Sequence, residues 1–205
     1  DPGDVVLCES PSYLGALNAF NAYQPKFVEV PTDNGGLIPE ELDKILETTP
    51  NCKFIYVIPD FQNPTGRTWS MERRKAFMEV VNKHNLPVIE DNPYGELRYE
   101  GEILPSLKSL DTKGLVMFLG TFSKIFCPGL RLGWVAAEHS LLTQFVKIKQ
   151  SADLHTSNFD QGVADAYMES CDLDAHVKEI VALYKHRRDV ILKAMEDNFP
   201  AGTEW

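Results

Sequence analysis

Residues 54–81 read F-I-Y-V-I-P-D-F-Q-N-P-T-G-R-T-W-S-M-E-R-R-K-A-F-M-E-V-V. Phe54–Ile58 is a short run of apolar, aromatic and β-branched residues, the pattern of a buried strand. Pro59–Gly66 is punctuation, because N-P and T-G dipeptides mark loops. Ser70 stands where a helix cap belongs, and Phe77, Val80 and Val81 recur at helical spacing behind it. Val88–Ile89 follows as another apolar run. A strand, a helix and a strand make one parallel crossover unit.

The alternation continues in both directions. Val5–Cys8, Phe27–Val30, Leu115–Leu119 and Leu132–Ala137 read as further strands, mostly buried on both faces. Helices are expected over Leu14–Phe20 and from Pro39, which suits a first helical position, with Leu42, Ile45 and Leu46 on one face. Leu141, Leu142, Phe145 and Ile148 mark another. Val177, Ile180, Val181, Tyr184, Ile191 and Met195 mark a long final one. The expected fold is α/β: three αβα layers on a mainly parallel, mixed sheet. Ligands of such sheets gather beyond the carboxyl ends of the strands.

The residues just past those ends carry chemistry. Asn63 follows the first quoted strand, Asp91 and Tyr94 the second. Thr121, Ser123, Lys124 and Arg131 follow Leu115–Leu119. Singly, each has a structural reading: a turn, a helix cap, a loop aromatic, a solvated cation. Together they supply an amide, a carboxylate, a phenol, hydroxyls, an amine and a guanidinium to one crevice. Glu90 and Asp91 resemble a catalytic carboxylate pair, but neighbours on a strand face opposite ways, which disfavours a glycosidase dyad. His84, His139, His155, His176 and His186 show no metal-ligand spacing, and no metal is expected.

The 205 residues carry a formal net charge of −10 and a pI of about 5.0, which argues against a duplex-coating surface. The basic runs Glu72-Arg73-Arg74-Lys75 and Lys185-His186-Arg187-Arg188 read as solvated helix faces. No apolar run approaches the ~18 residues of a spanning helix, so no membrane contact is expected. Cys8, Cys52, Cys127 and Cys171 show no C-x-x-C spacing, and a reducing cytoplasm fits. Asp1-Pro2-Gly3-Asp4 is a turn that leads straight into an apolar run. Pro200-Ala201-Gly202-Thr203-Glu204-Trp205 is a turn at the other end. The chain reads as the middle of a longer protein.

The segments N-P-T-G (63–66), D-N-P-Y (91–94) and T-F-S-K-x-x-x-P-G-L-R-L-G (121–133) resemble the fold-type I aminotransferases that use pyridoxal phosphate. The resemblance runs from Pro2 to the final helix and keeps the family's motif order. Glu96–Tyr99, Leu104–Leu107 and Lys149–Thr156 resemble the 2-aminoadipate and kynurenine subgroup. The resemblance implies that Lys124 forms the Schiff base with pyridoxal 5′-phosphate and moves the substrate's proton. It implies that Asp91 pairs with the pyridine nitrogen, and that Tyr94 and Asn63 hydrogen-bond the ring's phenolic oxygen. Thr121, Ser123 and Arg131 would hold the phosphate. Tyr13 matches the aromatic that stacks on the ring, and reads equally as packing at the start of its helix. His155 lies in a stretch that in the family approaches the substrate entrance.

The implied organisation is a cofactor-binding large domain over 1–205, incomplete, with an upstream phosphate-binding segment and a C-terminal small domain absent. The implied activity is a ping-pong exchange of an amino group between an amino acid and a 2-oxo acid, in a homodimer. Two alternatives share the scaffold. One is a C–S lyase. The other is the pyridoxal-phosphate-binding sensor domain of a winged-helix transcription regulator, in which this acidic segment does not itself contact nucleic acid. Because substrate-binding parts are expected elsewhere, the 205-residue chain alone is expected to show little or no transamination. A coupled assay on the purified chain checks this, and robust turnover would overturn it.

Overall fold

The structure is a computed structural model that describes residues 1–203. The strands are β1 (Val5–Glu9), β2 (Lys26–Val30), β3 (Thr32–Asp33), β4 (Gly36–Leu37), β5 (Cys52–Val57), β6 (Val88–Asp91), β7 (Val116–Thr121) and β8 (Gly133–Ala136). The helices are α1 (Leu14–Asn21), α2 (Pro39–Thr48), α3 (Met71–His84), α4 (Leu107–Leu110), α5 (His139–Asp153), α6 (Asn158–Ser170) and α7 (Leu173–Asn198). Six strands form one sheet in the order β2-β1-β5-β6-β7-β8. All neighbours are parallel except β7 and β8. This is the expected mixed, mainly parallel α/β sheet.

Strand alternation sorts the side chains. Leu7, Ile55, Val88 and Val116 stand in register on one face. They pack with Leu42, Phe77, Val81 and Leu107 of α2, α3 and α4 into the main core. The other face takes α1, whose Phe20 ring meets Phe54 and Tyr56 edge-on at 5.1 and 5.6 Å. Pro39 begins α2 as expected. The Ser70 side chain accepts from the Arg73 N–H and caps α3.

Two expectations change. Burial on both faces holds throughout β1 but not in β2 or β8, where Lys26, Glu29 and Trp134 are exposed. The basic run after Ser70 is not wholly a solvated face. Arg74 is fully buried and donates to Asp60 Oδ1 at 2.8 Å and to the Pro105 carbonyl at 3.0 Å. The same Asp60 oxygen accepts from Arg98 at 2.9 Å, so a carboxylate and backbone oxygens compensate the buried cation. The long final helix forms, but none of its residues is fully buried. At the chain's end Thr203 N–H closes the expected turn on the Pro200 carbonyl, and Glu204 and Trp205 lie outside the described residues.

The hairpin β3–β4 was not anticipated. Its turn is Asp33-Asn34-Gly35-Gly36, and Arg73 of α3 clamps it through Asp33 and the Leu37 carbonyl. Gly36 has φ +96, and a Cβ there would lie 2.3 Å from the buried Trp69 ring. Left-handed strain and overpacking then add, so Gly36→Ala is expected to destabilise the fold by about 2–4 kcal/mol. Urea unfolding of the two chains side by side measures it. An unchanged midpoint would show that Trp69 can move aside.

Candidate functional site

Because β5, β6 and β7 run parallel, their following loops leave the same edge of the sheet. The loop after β1 joins them. A cavity of about 290 Å³ opens there. It is lined by Tyr13, Asn63, Asp91, Tyr94, Thr121, Ser123, Lys124 and Arg131, with Ile58, Pro93 and Pro128 as its apolar wall. The structure thus brings together all eight side chains singled out in the sequence. His155 is elsewhere, exposed, with its Nδ1 against the Thr156 carbonyl.

Each side chain is set by local structure. Asp91 ends β6 on the cavity side, and burial raises its carboxyl above the usual range. The Tyr56 hydroxyl opposes that shift by donating to Asp91 Oδ2 at 2.6 Å. Burial, followed by the Asp91 charge, raises the Tyr56 phenol in turn. Tyr94 lies within the tight turn in which Asn92 Oδ1 accepts the Gly95 N–H at 2.9 Å. Lys124 Nζ stands 5.9 Å from the centroid of the Tyr94 ring, within reach of a cation–π contact. Arg131 adopts the left-handed backbone (φ 55, ψ 37), a conformation uncommon outside glycine, and donates to the Pro128 carbonyl at 3.1 Å.

Thr121 also orders its own loop. Its hydroxyl donates to the Leu132 carbonyl at 3.2 Å and accepts the Ser123 N–H at 3.1 Å. Its one proton therefore closes the loop carrying Lys124, while Thr121 still lines the cavity.

Three residues of the site were missed in the sequence. Tyr56 is one. Gln62 is the second: its Nε2 donates to the Pro11 carbonyl at 2.8 Å, while its Oε1 accepts from Thr65 N at 2.9 Å and Thr65 Oγ1 at 2.6 Å. It ties the Asn63 loop to the Tyr13 loop. Glu9 is the third. It accepts the Ile58 N–H at 3.1 Å and the Trp69 indole N–H at 3.2 Å behind the cavity wall. The only sequence signal for any of them was a polar group within or just after an apolar strand.

The donor set is specific in kind. It holds two cations, one carboxylate, two phenols, an amide and hydroxyls around a volume near the lower end of small-ligand clefts. Such a lining suits a small, flat, anionic ring with a basic nitrogen, and pyridoxal phosphate fits that chemistry. Among the described residues, no three His, Cys, Asp or Glu side chains gather as a metal site.

Comparison with known proteins shows the family. The family model described as "Aminotransferase class I and II" matches residues 1–204, and the chain belongs to that family. It is 44% identical, over its whole length, to aromatic-amino-acid aminotransferase 1 of Thermococcus litoralis, of which it covers 50%. It is 34% identical to the 2-aminoadipate transaminase of Thermus thermophilus, over 98% of this chain and 51% of that one. The crystal structure of Pyrococcus horikoshii kynurenine aminotransferase, in complex with PMP, superposes with a TM-score of 0.96 at 42% identity, over 100% of this chain and 52% of that one. An uncharacterized HTH-type transcriptional regulator of Bacillus subtilis also matches, at 33% identity over 99% of this chain and 42% of the regulator. The chain spans about half the length of the curated relatives it matches.

Glu9 gives the site a pH signature. Burial pushes its carboxyl from the ordinary 4.5 up to about 7, against the two N–H groups and Arg67 that pull it down. Between those pH values the fold keeps a proton that the unfolded chain has released, so stability falls as pH rises from about 4.5 to 7. Glu90 contributes with the same sign, its carboxyl also pushed up to about 7 by burial. Glu9→Gln should remove the Glu9 share. Relative to the parent, the variant is expected to gain about 3 kcal/mol between pH 4.5 and pH 8. Urea midpoints at four pH values test this, and parallel pH curves would sink it.

Proposed function

We propose that this chain is the cofactor-holding core of a pyridoxal-phosphate-dependent aminotransferase that exchanges an amino group between an amino acid and a 2-oxo acid. One observation carries the reading: the eight side chains of this chain that such chemistry asks for line one cavity. The half-length match supports placing the rest of the substrate site in segments outside this chain. The relatives' names support an aromatic, kynurenine-like or 2-aminoadipate-like amino acid as substrate. Four unpaired cysteines support a cytoplasmic location, and the family resemblance supports a homodimer.

Bound in the cavity, pyridoxal phosphate would supply an aldehyde for the substrate nitrogen and a ring that draws electrons from the substrate Cα. The work of the chain's own residues follows from what they are. The Lys124 amine would take the proton from the substrate Cα and deliver it to the cofactor's aldehyde carbon, ending the transfer as a free amine again. Asp91 keeps a proton on the ring nitrogen, since a carboxylate beside a basic nitrogen favours the charged pair. Tyr94 and Asn63 donate to the ring's phenolic oxygen. Arg131, Ser123 and Thr121 would hold the phosphate, since a guanidinium fork and hydroxyls both suit phosphate oxygens. Tyr13 covers the ring face.

The helix-turn-helix relative supports a second reading, in which the same core serves as a sensor that binds the cofactor without turnover. One experiment separates the two. The protein in its full natural length is incubated with pyridoxal phosphate, reduced with borohydride and mapped by peptide mass. The label is expected on Lys124 and absent from Lys124→Ala. A panel of amino acids then scores oxo-acid formation against ammonia release. Oxo-acid product that falls about 10²–10⁴-fold in Lys124→Ala supports the aminotransferase. A label on Lys124 without product supports the sensor, and ammonia release supports the lyase. A label on another residue overturns the assignment of the site.

A further inference from the structure

Resting on the cofactor reading above, we infer that Tyr56 is a positioning residue of this site: it fixes the Asp91 carboxylate for the nitrogen of the bound ring. The geometry begins in the sheet. Tyr56 on β5 pairs in register with Ile89 on β6, so Asp91 lies two residues further along the same face. From there the phenol reaches forward and its O–H donates to Asp91 Oδ2 at 2.6 Å. That length belongs to the short, charge-assisted class of hydrogen bond.

Tyr56 cannot act on a ligand directly. It is 1% exposed and does not line the cavity, whereas Asp91 does. Its ring is held edge-on by Phe20 at 5.6 Å, so the hydroxyl has a fixed origin. The charged or titratable groups around it are Asp91, Tyr13 and Glu9. Among the described residues, Tyr56 is the only donor to the Asp91 side chain. One carboxylate oxygen is thereby occupied from behind, and the other is left for a partner in the cavity. Burial alone would push Asp91 toward its neutral form, which cannot pair with a protonated ring nitrogen. The phenol works against that.

The test separates an action through Asp91 from mere packing. Tyr56→Phe keeps the ring and its contact with Phe20 and removes only the hydroxyl. In the protein of full natural length, dissociation constants are measured by absorbance titration for two ligands. One is pyridoxal phosphate, the other its analogue with CH in place of the ring nitrogen. Tyr56→Phe should weaken pyridoxal phosphate about tenfold, the scale of one hydrogen bond to a charged group, and leave the analogue within about twofold. In an Asp91→Ala background the same change should add nothing. Equal losses for both ligands, or no loss for either, would overturn the inference. Should Tyr56→Phe fail to fold, 3-fluorotyrosine placed at position 56 keeps ring and hydroxyl and strengthens the donor. An affinity change confined to pyridoxal phosphate then supports the inference, and no change or a change common to both ligands overturns it. A parent protein that takes no label on Lys124 would instead fail the cofactor reading itself.

Discussion

Strand β6 ends in two carboxylates, and the alternation of a strand sends them to opposite faces of the sheet. Glu90 goes into the core, where it accepts the Leu107 and Lys108 N–H groups at 2.8 Å each and caps α4. Asp91 goes to the cavity. A slip of one residue in register would exchange them, putting a ligand's partner in the core and taking from α4 the carboxylate that accepts its Leu107 and Lys108 N–H groups, with Ser106 alone left as its cap. The pairing of β6 with β5 and β7 prevents that slip, because Val88 must meet Ile55 and Val116 within one apolar layer. The site is therefore positioned by the core.

Buried charge fastens the surrounding loops to the same frame. Asp60 lies in the loop that carries Asn63. It binds Arg74 from α3 and Arg98 from the segment after β6 through one oxygen. Arg74 reaches the Pro59 and Trp69 carbonyls as well. Breaking a buried pair of this kind from one side typically costs about 3–5 kcal/mol, because the remaining charge is left without compensation. Two of the loops that build the cavity are thus held by bonds that never face it.

The fold was legible where apolar runs are continuous. All six strands of the main sheet, and helices α1, α2, α3, α5 and α7, follow from runs such as Phe54–Ile58 and from the Pro39 and Ser70 start signals. What escaped has weak or ambiguous patterning. Helix α6 buries only Ala164 and leaves Phe159 and Val163 exposed, so its apolar stripe carries little signal beyond the Ser157 cap. The β3–β4 hairpin is two residues a side, too short to show alternation. Arg74 stands in a run of charges and gives no sign of burial, since its partner Asp60 is fourteen residues away in sequence. The cavity residues were legible as a set through the resemblance of three motifs. Tyr56, Gln62 and Glu9 were not, because each acts through a neighbour that only the folded sheet supplies.

These residues, with Thr121, hold the shape of the cavity from behind its lining. Gln62 joins the Tyr13 and Asn63 loops, Glu9 holds the Ile58 wall, Tyr56 aims Asp91, and Thr121 closes the Lys124 loop on Leu132. Each bond orders a polar group before binding, so the ordering need not be drawn from the binding energy. The same bonds engage the polar groups of their residues within the protein: Glu9 accepts one donor on each oxygen, and the Thr121 hydroxyl both donates and accepts. What remains turned toward the cavity is chemically sparse: one carboxylate, one amine, one guanidinium and a few neutral donors. A lining with so few groups, each held from behind, admits a ligand whose charges fall in one order and disfavours one whose charges fall in another.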